Sequence, residues 1–395
     1  MSEYFQKLRT RTKAFFSFNT KQVGTVALYG SGFLLIGAAF VGISTDFNPV
    51  IYEQIVADVT PEILKKDPVW PLPLDIDAYN QKMLSLAHYM PPQPQVASTT
   101  ASTTPQVALP VSTETMSVSV PKSLWPAPAA YPNGGAILPF SRIIAYYGNF
   151  YSTRMGVLGE YSKEVVVQKL KDEVAAWTKA DPETPAIPAI HYIAAVAQAD
   201  AGKLGYYRAQ MPDAEMEKAL TMANEIDGLL FLDLQIGKST IENELPAISE
   251  FLKKPNVHLG LDPEFSMKYG DAPGHVIGTF DATDINYAIE YLAQIVRDNK
   301  LPPKILVIHR FTQDMVTNYQ NIKPLPEVQV VMDMDGWGEP AKKKGTYNRV
   351  IYPEPVQFTG VKLFYGNDLK APSTRLLTMD EVLNLTPSPI YIQYQ

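Results

Sequence analysis

A chain of 395 residues, 46% hydrophobic and 19% charged, has enough apolar surface for two or three domains and is no disordered polymer. Its 34 basic and 41 acidic side chains leave a net charge of -7, without the basic excess of a nucleic-acid binder. Cysteine is absent, which excludes disulfides, thiolate metal sites and cysteine nucleophiles, and leaves catalysis to carboxylates, histidine, hydroxyls, amines or a metal held by oxygen and nitrogen.

Residues 23–43, VGTVALYGSGFLLIGAAFVGI, form an uncharged run long enough to cross a hydrocarbon layer ~30 Å thick as one helix. The run is longer than the ~7–15 apolar residues of a cleaved signal peptide, and no small-x-small site follows it. Lys7, Arg9, Arg11, Lys13 and Lys21 precede it against the single acid Glu3, so the positive-inside rule keeps residues 1–22 in the cytoplasm. A single-pass plasma-membrane protein is expected, with the C-terminal domain extracytoplasmic and membrane lipid as a partner. Gly30, Ser31 and Gly32 are small enough for a second helix to approach, a weak pattern for a homodimer.

Residues 44–90 read as a membrane-proximal segment with one amphipathic helix at 78–90. Residues 91–137 read as a Pro/Ser/Thr-rich linker. Within 91–132 stand nine prolines and twelve serines or threonines, and only Glu114 and Lys122 are charged. So few large apolar groups cannot offset the entropy of ordering, which makes this stretch a tether.

From 138 to 395 short β-rich runs alternate with helical ones. The strands are expected as RIIAYYGNF from Arg142, AIPAIHYIA from Ala186, GLLFLDLQ from Gly228, VHLGLDPEF from Val257, HVIGTFDA from His275, KILVIHRF from Lys304, VQVVMDMDG from Val328 and VKLFYGN from Val361. Eight strands with helical crossovers in about 250 residues predict a (β/α)8 barrel. A doubly wound sheet is disfavoured because no glycine-rich phosphate loop follows the first strand.

Alternate residues of a barrel strand face the lumen, and reactive groups gather where strands end. By that parity the expected fourth strand aligns His258, Gly260, Asp262 and Glu264, and the expected seventh aligns Val331, Asp333 and Asp335. The third aligns Phe231, Asp233 and Gln235, the sixth Val307 and His309, and the fifth Thr279 and Asp281. Asp281 stands where a helix cap is needed, and His258 lies low enough to be core. Trp337 follows in a glycine-flanked turn, and Tyr146, Tyr147 and Tyr151 surround the end of the first strand. Paired carboxyls across a barrel mouth suit glycosidic bond cleavage, in which one protonates the leaving oxygen and the other attacks or activates water.

At these positions the chain resembles the TIM-barrel glycoside hydrolases, whose large retaining clan has an acid/base glutamate after strand four and a carboxylate nucleophile after strand seven. Glu264 in LDPEF takes the first position, with Pro263 where the clan has Asn. Asp335 or Asp333 in MDMDGWG approximates the second, with Asp for Glu. The phrases LDLQ, LDPEF, VIHRFT and DMDGWG also resemble a group of bacterial secreted or membrane-anchored proteins, which implies no activity. The expectation is a membrane-anchored, glycoside-hydrolase-like protein acting on cell-envelope or environmental polysaccharide. Glu264 is its acid/base and Asp335 its nucleophile or base, with Asp333 as alternate. Asp262, Gln235, Asp233, His309, Trp337 and Tyr147 bind substrate; no metal ligand and no cofactor are assigned. Two other chemistries compete: a divalent ion on Asp262, Glu264, His309 and Asp333 serving a phosphoester hydrolase or deacetylase, and a barrel that binds polysaccharide without cleaving it.

Overall fold

The structure, a computed structural model, describes residues 70–89 and 123–395. The tail at 1–22, the apolar run at 23–43 and most of the Pro/Ser/Thr-rich stretch lie outside the described residues. Among the described residues no helix is long and apolar enough to cross a membrane.

Eight parallel strands close into a barrel: β1 (Arg142–Gly148), β2 (Ala186–Ala197), β3 (Leu229–Leu234), β4 (Val257–Leu261), β5 (Lys304–Arg310), β6 (Val328–Met334), β7 (Phe358–Leu363) and β8 (Tyr391–Tyr394). Each pairs with the next in sequence, and β8 returns to β1 through the register Ile143 to Tyr391. The period-two alternation sorts side chains between two cores. Outward residues such as Ile144, Ile190, Leu230, Leu306 and Val330 pack under the helices, notably α2 (Lys163–Ala180), α3 (Asp213–Asn224), α4 (Ile241–Leu252) and α5 (Ala282–Asn299). Inward residues Ile143, Ala145, Ala189, Phe231, Ile305, Val307, Val331 and Phe358 fill the lower barrel.

The floor of that inner core comes from before the barrel. Helix α1 (Ile76–Leu86), capped by Asp75, turns Tyr79, Met83 and Leu86 onto Leu138 and the inward strand residues. The described residues 70–89 and 123–395 fall in one compact unit. The helix expected in a membrane-proximal segment therefore belongs to the barrel, because its apolar face is what closes the lower end. Trp125, from the stretch expected to be linker, is also buried and donates its indole N–H to the Tyr352 carbonyl at 2.8 Å.

Two expected strands differ. The run from His275 is not a barrel strand: the N–H groups of Gly278 and Thr279 are spent on the carbonyls of Glu264 (2.7 Å) and Ser266 (3.2 Å). Only Phe280–Asp281 pairs, with Val316–Thr317, in a small sheet of its own, and Asp281 then caps α5 in a capping box with Asp284. The eighth strand is instead YIQY at the C-terminal end. Asp333 and Asp335 thus follow the sixth strand, and the seventh, Phe358–Leu363, ends not in a carboxylate but in Lys362.

Candidate active site

The C-terminal mouth of the barrel opens into a cavity of about 650 Å³. That volume lies within the ~300–1,000 Å³ typical of small-ligand sites. Glu264, Asp262, Asp335, Gln235, Tyr147 and Trp337 all line it. Asp233, His309 and Asp333 do not; they lie fully buried beneath its floor.

Glu264 is held on a one-turn helix, Pro263–Phe265, whose fixed proline opens the turn directly after Asp262. The loop at 275–279 folds back to bond this turn, and a Cβ on Gly278 would lie 2.5 Å from the carbonyl oxygens of Pro263 and Ser266, so only glycine permits the approach. Asp335 is placed by its N–H on the Arg310 carbonyl, 3.3 Å. Lys343 braces the loop after β6, donating to the Gly336 carbonyl (2.8 Å), the Lys362 carbonyl (2.6 Å) and Asp368 (3.1 Å).

Below the cavity the polar groups interlock. The Tyr147 hydroxyl donates to Asp233 Oδ2 at 2.9 Å, and the Gln235 amide donates to Tyr147 Oη and to Asp262 Oδ2, both at 3.3 Å. Asp233 Oδ1 faces His191 Nε2 at 3.3 Å and His309 Nε2 at 3.5 Å. His309 Nδ1 donates to Asp333 Oδ2 at 3.0 Å and stands 4.0 Å from Asp335 Oδ2. His191 Nδ1 lies 2.5 Å from the Tyr391 hydroxyl.

This arrangement separates the charge states. Burial, reinforced by the Asp335 charge, pushes the Glu264 carboxyl up to about 7. Burial also pushes Asp262 well above the usual carboxylate range, with the charges of Asp233, Asp335 and Glu264 adding to the rise and His309 opposing it. Burial raises Asp335 too, but His309, Lys362 and Lys343 pull it the other way, so among the mouth carboxyls it is the one best surrounded by cations. Burial opposes a charge on His309, yet Asp233 and Asp333 outweigh it and hold the imidazole protonated. His191 is driven down to about 4 by burial and stays neutral.

Several lining groups carried no signal in the sequence. Lys362 covers the face of Tyr147, its ammonium 3.7 Å from the ring centroid. Arg154, Lys342 and Arg349 reach the cavity from loops and from the helix after β6, where no periodicity marks them. Together with Lys362 they form no ion pair within 4.0 Å among the described residues. Trp337 is 48% exposed, with the ammonium groups of Lys342 and Lys370 at 4.6 and 5.4 Å from its ring centroid. The four side chains weighed for a divalent ion, Asp262, Glu264, His309 and Asp333, do not assemble. The first two face the cavity and the others lie under it. Among the described residues only His191, Asp233 and His309 bring ligand atoms within 4.8 Å of one another.

Compared with known protein families and with curated proteins, the sequence gives no match. Solved structures with a similar fold include a ruminal GH26 endo-β-1,4-mannanase, 12% identical with a TM-score of 0.32 over 64% of this chain and 58% of that chain. Another is GH26C from Muricauda sp. MAR_2010_75, 9% identical with a TM-score of 0.26 over 67% and 75%. The chain spans little more than half the length of the mannanase.

Proposed function

We propose that the barrel cleaves glycosidic bonds in a polysaccharide bearing anionic groups, with Glu264 as general acid and Asp335 as base or nucleophile. The observation that carries this reading is that both carboxyls line one cavity, where burial raises each and more cations oppose that rise at Asp335 than at Glu264. Glu264, held up to about 7 by burial and by Asp335, retains a proton to give to the leaving glycosidic oxygen. Asp335, raised by burial but 4.0 Å from His309 Nδ1 and within the field of Lys362 and Lys343, is the carboxyl whose cations favour ionisation, and it serves the anomeric carbon or a water attacking it.

Both glycosidic mechanisms need this division between a protonated and an ionised carboxyl. Asp262, bonded to Gln235, and Tyr147 above Asp233 orient sugar hydroxyls. Trp337 offers a half-exposed ring for a sugar face. Arg154, Lys342, Arg349 and Lys362 have no carboxylate partner among the described residues, so a substrate carrying carboxylates or phosphates supplies what they lack. The uncharged run at 23–43, preceded by basic residues, supports an anchored enzyme working outside the cytoplasm on envelope or environmental polysaccharide.

Release of reducing ends from a polyuronate and from a neutral mannan tests the reading. Turnover is expected on the acidic polymer and is lost in Glu264→Gln and in Asp335→Asn, each still folded by circular dichroism. Undiminished turnover in either variant overturns its role, and binding without product release in the wild type leaves a polysaccharide-binding barrel instead.

A further inference from the structure

Under the cavity floor three potential metal-ligand atoms converge within 4.8 Å of one another, and none makes a well-formed hydrogen bond among the described residues. They are His191 Nε2 on β2, Asp233 Oδ1 on β3 and His309 Nε2 on β5, on side chains that are 0% exposed. The facing atoms of these two imidazoles and this carboxylate make no hydrogen bond, so only the charge attraction between His309 and Asp233 offsets their desolvation. From this convergence we infer that His191, Asp233 and His309 bind a divalent transition-metal ion of the Zn²⁺ class. The inference does not depend on the proposed glycosidic activity.

Three further features fit. The first is spacing. In tetrahedral coordination with bonds of ~2.0–2.1 Å, neighbouring ligand atoms lie about 3.3 Å apart. Asp233 Oδ1 is 3.3 Å from His191 Nε2 and 3.5 Å from His309 Nε2, and all three atoms lie within 4.8 Å of one another. Those separations are wide for hydrogen bonds to a carboxylate and right for the edges of a coordination shell.

The second is the orientation of each ligand by its other polar atom, the pattern that fixes tautomer and ring direction in metal sites. His309 Nδ1–H donates to Asp333 Oδ2 (3.0 Å), so that an ion displacing the second ring proton meets the lone pair on Nε2. Asp233 Oδ2 is occupied by the Tyr147 hydroxyl (2.9 Å), which leaves Oδ1. His191 Nδ1 faces the Tyr391 hydroxyl (2.5 Å). The Gln393 amide nitrogen is 3.0 Å from Nδ1 while the amide oxygen has no partner; turning the amide end for end exchanges them and sets an acceptor at Nδ1.

The third is room. The inward position of β4 beside the cluster is Gly260, where a Cβ would sit 2.4 Å from Asp233 Oδ1 and 2.5 Å from His191 Nε2. Any other residue would push both ligand atoms out of place. Entry is from above, past Tyr147 and Gln235, which line the cavity and bond to one another. Two nitrogen ligands and one oxygen favour Zn²⁺ over the oxygen-loving Mg²⁺ and Ca²⁺. A proton on His309 and a divalent ion meet the same need for positive charge, but the ion also satisfies His191 and ties β2, β3 and β5 at one point.

The test is metal content and affinity of the full chain, untagged, by plasma mass spectrometry and by titration with ZnCl₂ after dialysis against a chelator. The wild type is expected to hold one zinc per chain, to lose thermal stability on chelation and to regain it with ZnCl₂. His309→Gln and Asp233→Asn should abolish stoichiometric binding. Asp333→Asn, which touches only the far nitrogen of His309, should weaken zinc by about 10- to 100-fold. CoCl₂ added to the chelated wild type should give the visible spectrum of a four- or five-coordinate site. Less than stoichiometric zinc in the wild type after incubation, or equal affinity in wild type and His309→Gln, overturns the site. The wild-type chelation and cobalt measurements decide the matter even if a variant does not fold.

Discussion

A carboxyl whose folded pKa is raised above its unfolded value costs stability wherever it must ionise, and Glu264 is such a group. Its pKa rises from the ordinary 4.5 to about 7 through burial first and the Asp335 charge second. Below pH 4.5 the side chain is neutral in both folded and unfolded chains and exacts nothing. Between about pH 4.5 and 7 the unfolded chain releases its proton while the folded one keeps it, so stability falls with rising pH; above 7 both are ionised and the loss is complete. Its full size is on the order of 3 kcal/mol. Glu264→Gln is therefore expected to stabilise the fold at pH 8 by up to that amount and to leave it unchanged at pH 4, as read by urea unfolding at the two values. Destabilisation at pH 8 would show that the carboxylate is held for structure. The same ionisation should set the basic limb of the activity profile, with turnover declining above about pH 7 as the acid loses its proton.

The element of greatest consequence outside the strands is α1, because it closes the apolar end of the barrel with three buried side chains. Met83 packs there with Leu138 and the inward residues of several strands. Met83→Ala should cost about 2–4 kcal/mol in urea unfolding. It should leave kcat/KM unaltered, since the reactive end is the other one. A loss of activity without a loss of stability would contradict this division of the barrel into a structural and a chemical end. The division was largely legible from parity: the change from apolar to ionisable residues along LLFLDLQ, VHLGLDPEF and VQVVMDMDG marks one end of each strand. Strand order was less so. HVIGTFDA has β-rich composition, but its donors serve the turn that holds Glu264. YIQY is four residues long, and the helix that leads to it, Met379–Leu383, has only five. That pair of substitutions preserved the count of eight while shifting every later strand by one, and so hid Lys362 as the group at the end of the seventh. His191 was hidden for another reason: a lone histidine in an apolar strand shows its purpose only when Asp233 and His309, distant in sequence, are seen beside it.

Across the whole molecule the net charge is -7, which taken alone would repel a polyanion. What a bound glycan meets is local. At physiological ionic strength the screening length is ~8 Å, so distant surface acids contribute little at the cavity, whereas its own Arg154, Lys342, Arg349 and Lys362 lie within that range. The acidic groups of the site sit deeper, and the most buried of them are neutral or matched by His309. The result is a cationic rim above a reactive floor on a protein that is acidic overall. Arg154 and Arg349 are exposed, so each contact is worth only ~0.2–1 kcal/mol. Removing both as alanines should raise KM for an acidic polysaccharide by about three- to tenfold. The KM for a neutral one and the pH dependence of kcat should stay in place, because neither arginine touches Glu264's proton. Moderate salt should reproduce the effect on the wild type and have little further effect on the double variant. Equal KM changes for acidic and neutral polymers would mean that the two arginines shape the cavity and do not read substrate charge.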